Sequence, residues 1–330
     1  MRAGKTWPLV PSSPQRPTPN AQRPNTQLLR SSKDPKHIAV RHVAFTLALV
    51  VCALSTSLVG QDGRSLTITA SSRTLSPGSV VLLTVKSAAP LASLTGQAFG
   101  RPVRFWETGP LEWRGLVAAG LEAKPGAYDV DVTGADTAGV AGKTTLTVVR
   151  KQFETRRLRV GGEFVNPPAA EAERIAGEAK RLATLFTRTT PRAWRGAFQA
   201  PVPGTATSSF GRLTVLNGEP RGRHQGADFR AATGTPVVAP NAGRVVLAED
   251  LYFSGNTVVI DHGLGMFSLL AHLSRIDVTA GTDVASGEML GLSGASGRVT
   301  GPHLHWALRL SEFSVDPLAV VAVLSDLKEN

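Results

Sequence analysis

Two short stretches of this chain carry side chains that could hold a metal ion and use it. Gly301-Pro302-His303-Leu304-His305-Trp306 sets two imidazoles one residue apart, and His224-Gln225-Gly226-Ala227-Asp228 sets an imidazole four residues before a carboxylate. Residues i and i+2 of a strand point to the same face, so His303 and His305 can address one cavity while Leu304 packs into the sheet behind them. Two imidazoles and one carboxylate are the donor set that holds a catalytic Zn²⁺ at ~2.0–2.2 Å and leaves a fourth position for water. Five of the seven histidines, His224, His262, His272, His303 and His305, lie in the last third of the chain. Singly, each is more often a satisfied structural residue than a ligand; the combination is what argues for a metal. No HExxH motif supplies a glutamate base, so in metal-assisted hydrolysis a spare histidine must take the proton. A serine mechanism has no footing, because Gly291-Leu292-Ser293-Gly294 is out of register with a GxSxG elbow.

The elements that must position these residues read as strands. From about Phe198 onward, Thr235–Pro240, Gly243–Leu247, Asn256–Ile260, Phe267–Ala271, Glu288–Leu292 and His303–Leu310 are short and β-branched or apolar, with glycine at nearly every junction. That spacing indicates antiparallel sheet with tight turns rather than βαβ crossovers. Residues 64–150 also read as short strands, with turns at Ser76-Pro77-Gly78, Lys124-Pro125-Gly126 and Gly134-Ala135-Asp136, which suggests an immunoglobulin-like β-sandwich. Its Phe99, Phe105, Trp106 and Trp113 are most simply core. Between the two lies a basic connector and one helix, capped by Asn166, begun by Pro167-Pro168 and carrying Ile175, Ala179, Leu182 and Phe186 on one stripe. It is expected to brace the following domain.

The bulk numbers bound the partners. The chain has 330 residues, 42% of them apolar, and a formal charge of +11. Residues 1–41 hold eight Lys/Arg against the single acid Asp34, so the body is only mildly basic and nucleic acid is not an expected partner. The one cysteine, Cys52, excludes an intrachain disulfide and a Cys-based zinc ribbon. Residues 1–36, rich in Pro, Ser, Asn and Arg, read as a disordered basic tail. Residues 37–61 contain a basic flank, the apolar run Val43–Val59 and small residues after it, the layout of a signal peptide or of an uncleaved signal-anchor. The anchor form would attach the chain to a membrane through residues 43–59. Either form sends the body to a periplasmic or extracellular location.

The motifs resemble the lysostaphin-type (LytM-like) zinc metalloendopeptidases, peptidoglycan hydrolases that cut peptide cross-bridges of bacterial cell walls. The resemblance covers roughly residues 198–320, through Ser209-Phe210-Gly211-Arg212, His224-Gln225-Gly226-Ala227-Asp228-Phe229, Asp261-His262-Gly263, Ala271-His272-Leu273-Ser274, Gly301-Pro302-His303-Leu304-His305 and Val315-Asp316-Pro317. It implies one Zn²⁺ per chain held by His224, Asp228 and His305, with a metal-activated water as nucleophile. His303 becomes the general base and His272 its catalytic partner, orienting water or stabilising an oxyanion. His262 is expected to be structural, in a turn after Asp261, and Arg212 to line the cleft and meet substrate carboxylates. Leu270 stands where many relatives have tyrosine, which removes a hydroxyl from the cleft. The implied substrate is a peptidoglycan stem or cross-bridge peptide. A silent wall-binding module that activates other hydrolases is the alternative, disfavoured because all five positions are filled. The full expectation is a mainly β protein, an immunoglobulin-like sandwich (62–150) followed by an antiparallel β-sheet metallopeptidase domain (198–330), with a connector and one bracing α-helix (151–197) between.

Overall fold

The computed structural model describes residues 65–135, 139–159, 167–208, 210–325 and 327. The expected tail and signal segment, the Asn166 cap and Ser209 lie outside them. Everything described belongs to the unit Val59–Asn330. No helix among the described residues is long and apolar enough to cross a membrane.

The architecture is mainly β, as expected. The N-terminal part comprises β1 (Thr67–Ala70), β2 (Thr74–Leu75), β3 (Val80–Lys86), β4 (Ser93–Ala98), β5 (Arg101–Gly109), β6 (Glu112–Ala118), β7 (Gly126–Ala135) and β8 (Val140–Val148). They form one sheet in the order β1-β3-β6-β5-β4-β7-β8-β2, antiparallel except for the β2–β8 pair. The sheet curls until β1 lies beside β8, which protects its edges. Alternation drives this: β7 and β8 bury every second residue, and Val130, Val132, Leu146 and Val148 fill the interior. Phe105, Trp106 and Trp113 are buried as expected, whereas Phe99 is half-exposed and stacks on Tyr128 at 4.6 Å.

The connector contributes more than the sequence reading assigned to it. Its β9 (Thr155–Leu158) pairs in parallel with β11 (Leu213–Leu216), which forms a hairpin with β12 (Glu219–Arg223). Helix α1 (Ala172–Leu185) follows a 3-10 turn. Its C-terminal end braces the later sheet: Leu182, Leu185 and Phe186 pack with Leu247, Leu251, Val259 and Phe267. Ala179 of the expected stripe is exposed, because the first half of the helix is held by polar contacts instead. Arg174 meets Asp250 at 2.9 Å, and Glu178 accepts the Tyr252 backbone N–H at 2.9 Å.

The C-terminal sheet contains β10 (Ala206–Ser208), β13 (Gly226–Phe229), β14 (Pro236–Val238), β15 (Gly243–Leu251), β16 (Gly255–Gly263), β17 (Met266–Ile276), β18 (Asp283–Val284), β19 (Met289–Ser293), β20 (Leu304–Leu310) and β21 (Phe313–Val315). Its main order is β10-β13-β20-β17-β16-β15-β18, all antiparallel. A second helix, α2 (Pro317–Leu324), was not anticipated; it starts at the Asp316 cap, whose carboxylate accepts the Leu318 N–H at 3.0 Å. The cores of the two sheets are continuous, with Val80, Trp106, Leu116 and Ala118 in the same cluster as Trp194, Phe198 and Trp306.

Candidate metal centre

The register of β13 against β20 places Asp228 opposite His305 and Ala227 opposite Trp306. Directly opposed residues of an antiparallel pair share a face. Asp228 and His305 therefore stand side by side, while Trp306 goes to the other face, fully buried, its indole N–H donating to Ser268 Oγ at 3.1 Å. His224 lies two residues before β13, at the foot of the β11–β12 hairpin. Its backbone N–H donates to the Arg212 carbonyl at 2.9 Å, and its own carbonyl accepts the Gly211 N–H at 2.8 Å.

Three donor atoms converge. His224 Nε2 lies 2.9 Å from Asp228 Oδ1 and 3.0 Å from His305 Nδ1, which is itself 2.9 Å from the same oxygen. A proton can bridge only two of these atoms at a time, whereas one cation can satisfy all three. A tetrahedral ion with ~2.0–2.2 Å bonds separates its ligands by about 3.4 Å, so a small outward relaxation admits Zn²⁺. Among the described residues this is the one group of His, Cys, Asp and Glu able to hold a metal. Burial of the Asp228 carboxyl opposes its ionisation, yet the hydrogen bonds and charges of His224 and His305 outweigh that and hold it well below the usual carboxylate range. Burial pushes His305 down, against its hydrogen bond to Asp228. Both effects favour the deprotonated forms of Asp228 and His305, as a metal requires. Gly226 makes room for the arrangement: a Cβ there would lie 2.7 Å from His305 Cε1 and 2.5 Å from the Trp306 carbonyl oxygen.

The two remaining histidines flank this triangle. His303 sits just before β20, in an isolated bridge to Gly294, and its Nδ1 is 2.9 Å from the Gly301 carbonyl. A carbonyl only accepts, so Nδ1 carries a proton and the acceptor nitrogen of the neutral ring is Nε2, 3.9 Å from Asp228 Oδ1. His272 reaches the site through a backbone irregularity. Ala271 pairs with His305, so regular alternation would send His272 to the opposite face with Leu270. Between Val258 and Asn256 of β16, β17 spends one extra residue, and His272 takes φ +67°. This bulge turns the imidazole back, 4.8 Å from the His303 ring and 6.0 Å from that of His305, centroid to centroid. Its Nδ1 donates to the Ser296 carbonyl at 3.0 Å. Burial, then the His305 and His303 imidazoles, push its pKa down to about 4.

His262 is structural, but inside β16 rather than in a turn. Its Nδ1 donates to the Ala242 carbonyl at 2.8 Å and its Nε2 accepts from Ser268 Oγ at 2.9 Å, with the ring fully buried. Leu270 is also fully buried in the core, so a hydroxyl at that position would not enter the cleft. Arg212 is brought beside His224 by its backbone, and its buried Nε has no partner among the described residues. Two positioning groups left no trace in the sequence, the carbonyls of Ser296 and Gly301, because any residue type supplies a carbonyl.

The sequence model of Peptidase family M23 matches residues 222–317. A crystal structure from Pseudomonas aeruginosa, assigned by its description to peptidase M23, aligns at 31% identity over 75% of this chain and 95% of its own, with a TM-score of 0.59. The chain belongs to peptidase family M23. Curated relatives include the peptidoglycan DD-endopeptidase ShyA of Vibrio cholerae, 47% identical over 85 residues, 26% of this chain and 20% of its own. The DD-carboxypeptidase/endopeptidase Mpg of Neisseria meningitidis is 38% identical over 106 residues, 32% of this chain and 24% of its own. The match thus spans about a fifth to a quarter of the length of these relatives.

Proposed function

We propose that this chain is an exported zinc metalloendopeptidase that hydrolyses peptide cross-links of bacterial peptidoglycan. The convergence of His224 Nε2, Asp228 Oδ1 and His305 Nδ1 beside two further imidazoles carries the reading. Zn²⁺ held by those three side chains would supply Lewis-acid polarisation of the scissile carbonyl and acidify a water to a pKa of about 7. His303, its Nδ1–H anchored to Gly301, offers a bare Nε2 as general base and passes the proton to the leaving amine. His272 is fixed with the same polarity, so it too presents a bare Nε2. A group that accepts rather than donates orients water better than it stabilises an oxyanion, and water orientation is the role assigned to it. Arg212, with its unpartnered buried Nε, is assigned to a substrate carboxylate.

Support for peptidoglycan as substrate comes from the relatives named above; support for export comes from the apolar run Val43–Val59 behind a basic flank. The chain incubated with purified sacculi is expected to release muropeptides with new peptide ends, and a chelator is expected to stop the release. His303→Ala is expected to keep the metal and lose about 10²–10⁴-fold in turnover. A chain that binds sacculi tightly while releasing nothing, with zinc bound or absent, would favour the silent activator instead.

A further inference from the structure

The mild positive charge of the body is concentrated in one place. Residues 150–159 and 211–223 hold eight Lys/Arg against Glu154 and Glu219, so the rest of residues 42–330 carries slightly more acids than bases. The fold joins these two stretches, distant in sequence, into the sheet β12-β11-β9. Every residue of β9 except Leu158 is exposed, and so is every residue of β12 except Arg223. Such a sheet contributes little core; its side chains are deployed toward solvent.

Beside Arg223 of this sheet lies a groove of about 510 Å³, walled on one side by connector residues 150–153 and on the other by Pro77 and the β6–β7 turn 121–125. Lys124, Arg150, Lys151 and Arg223 line it, with Glu122 as the sole acid. Among the described residues none of these four cations forms an ion pair. Lys151 and Arg223 instead lie 5.2 Å from the Phe153 ring centroid, on which Gly211 also closes. Arg223 donates to the Gly211 carbonyl at 3.0 Å, and the Gly211 N–H donates to the carbonyl of His224 at 2.8 Å. The groove residue Arg223 and the candidate ligand His224 are thus neighbours in one chain segment, both hydrogen-bonded to Gly211.

Four positive charges in a concave channel make a site for an anion, and the low acid content leaves that charge uncancelled. We propose that this groove binds the carboxylate-bearing arm of the peptide whose scissile bond lies at the metal centre. The assignment rests on the peptidoglycan reading for the identity of the peptide. Lys124, Arg150 and Lys151 are exposed, so an anionic bilayer is the competing occupant, and the vesicle arm of the test separates it from the peptide. The assignment also gives the N-terminal part a share in substrate binding, through the β6–β7 turn residues Leu121, Lys124 and Pro125.

The test uses the full chain carrying His303→Ala, so that cleavage does not consume the ligand, and measures co-sedimentation with purified sacculi. The triple variant Lys124→Gln, Arg150→Gln, Lys151→Gln is expected to bind about ten-fold more weakly at ~0.1 M salt, with a shallower salt dependence. Sacculi whose carboxylates have been amidated are expected to bind the parent as weakly as untreated sacculi bind the triple variant. Lys124→Arg, Arg150→Lys, Lys151→Arg should restore binding, which separates loss of charge from loss of fold. Equal binding by the Gln variant, or indifference to amidation, overturns the proposal. So does an effect seen only with phosphatidylglycerol vesicles. If the chain with His303 intact cleaves no sacculi while the Gln variant still loses binding, the groove stands and the peptidase reading falls.

Discussion

At the scale of single residues, the glycine between the candidate ligands His224 and Asp228 is as informative as they are. Gly226 lets the His305 ring approach the backbone closely, and any side chain there meets that ring and the Trp306 carbonyl together. Gly226→Ala is expected to keep the fold but displace the imidazole, lowering zinc affinity about 10–100-fold in a competition assay against a chelator. An unchanged affinity would show that His305 does not bind the metal in this orientation. His262 gives a separate, metal-independent expectation. Its ring is buried between Ala242 and Ser268, and burial lowers its pKa from 6.5 to about 4. The unfolded chain takes up this proton below about pH 6.5 and the folded chain declines it until about pH 4, so stability present above 6.5 is lost as pH falls through that window. The loss is of order 3 kcal/mol. Urea unfolding in the presence of chelator, at pH 7 and pH 4.5, should show a smaller acid-induced drop for His262→Gln than for the parent; identical drops would refute the linkage.

At the scale of elements, the β17 bulge decides whether the site is complete. His272 holds φ +67°, a conformation that costs an L-residue about 1 kcal/mol and that glycine adopts freely. His272→Gly should therefore be more stable than His272→Ala by about 1 kcal/mol in denaturant unfolding, with turnover lost in both. Equal stabilities would mean that the backbone there is unstrained. This bulge also marks the limit of what the sequence made legible. The candidate ligand His305 and its neighbour His303 were readable because i and i+2 alternation survives in His303-Leu304-His305, and the strands Gly243–Leu251, Gly255–Gly263 and Met266–Ile276 because their apolar runs end at glycines. Alternation alone would have turned His272 away from the cleft, and only the family pattern kept it in the site. Strand Thr155–Leu158 was missed because Thr-Arg-Arg-Leu has no alternation of its own and exists as a strand only through its partner Leu213–Leu216. Helix Pro317–Leu324 is apolar nearly all round, so it carries no stripe from which to read a face.

At the scale of the whole molecule, the two sheets are joined by a shared core rather than by a tether. Trp106 of β5 meets Trp194 edge-on at 5.0 Å, and the Arg192 guanidinium lies 5.2 Å from the first ring centroid and 4.8 Å from the second. The Asp316 N–H donates to the Gly78 carbonyl at 2.8 Å, and Arg104 Nη1 donates to Ser311 Oγ at 3.1 Å. A cationic groove with Pro77 and residues 121–125 on one side and residues 150–153 and Arg223 on the other keeps its shape only if this junction is rigid, so cooperativity and the proposed substrate binding are linked. The whole body is expected to unfold in one transition, with tryptophan fluorescence and far-UV circular dichroism coincident. Trp106→Ala removes a ring that is 7% exposed and should cost about 3–5 kcal/mol. Because the cavity opens at the junction and not inside one sheet, the same variant should also weaken sacculus binding while leaving the stoichiometry of bound zinc unchanged. If the variant instead splits the transition in two and binding is retained, the sheets fold independently and the groove does not need both of them.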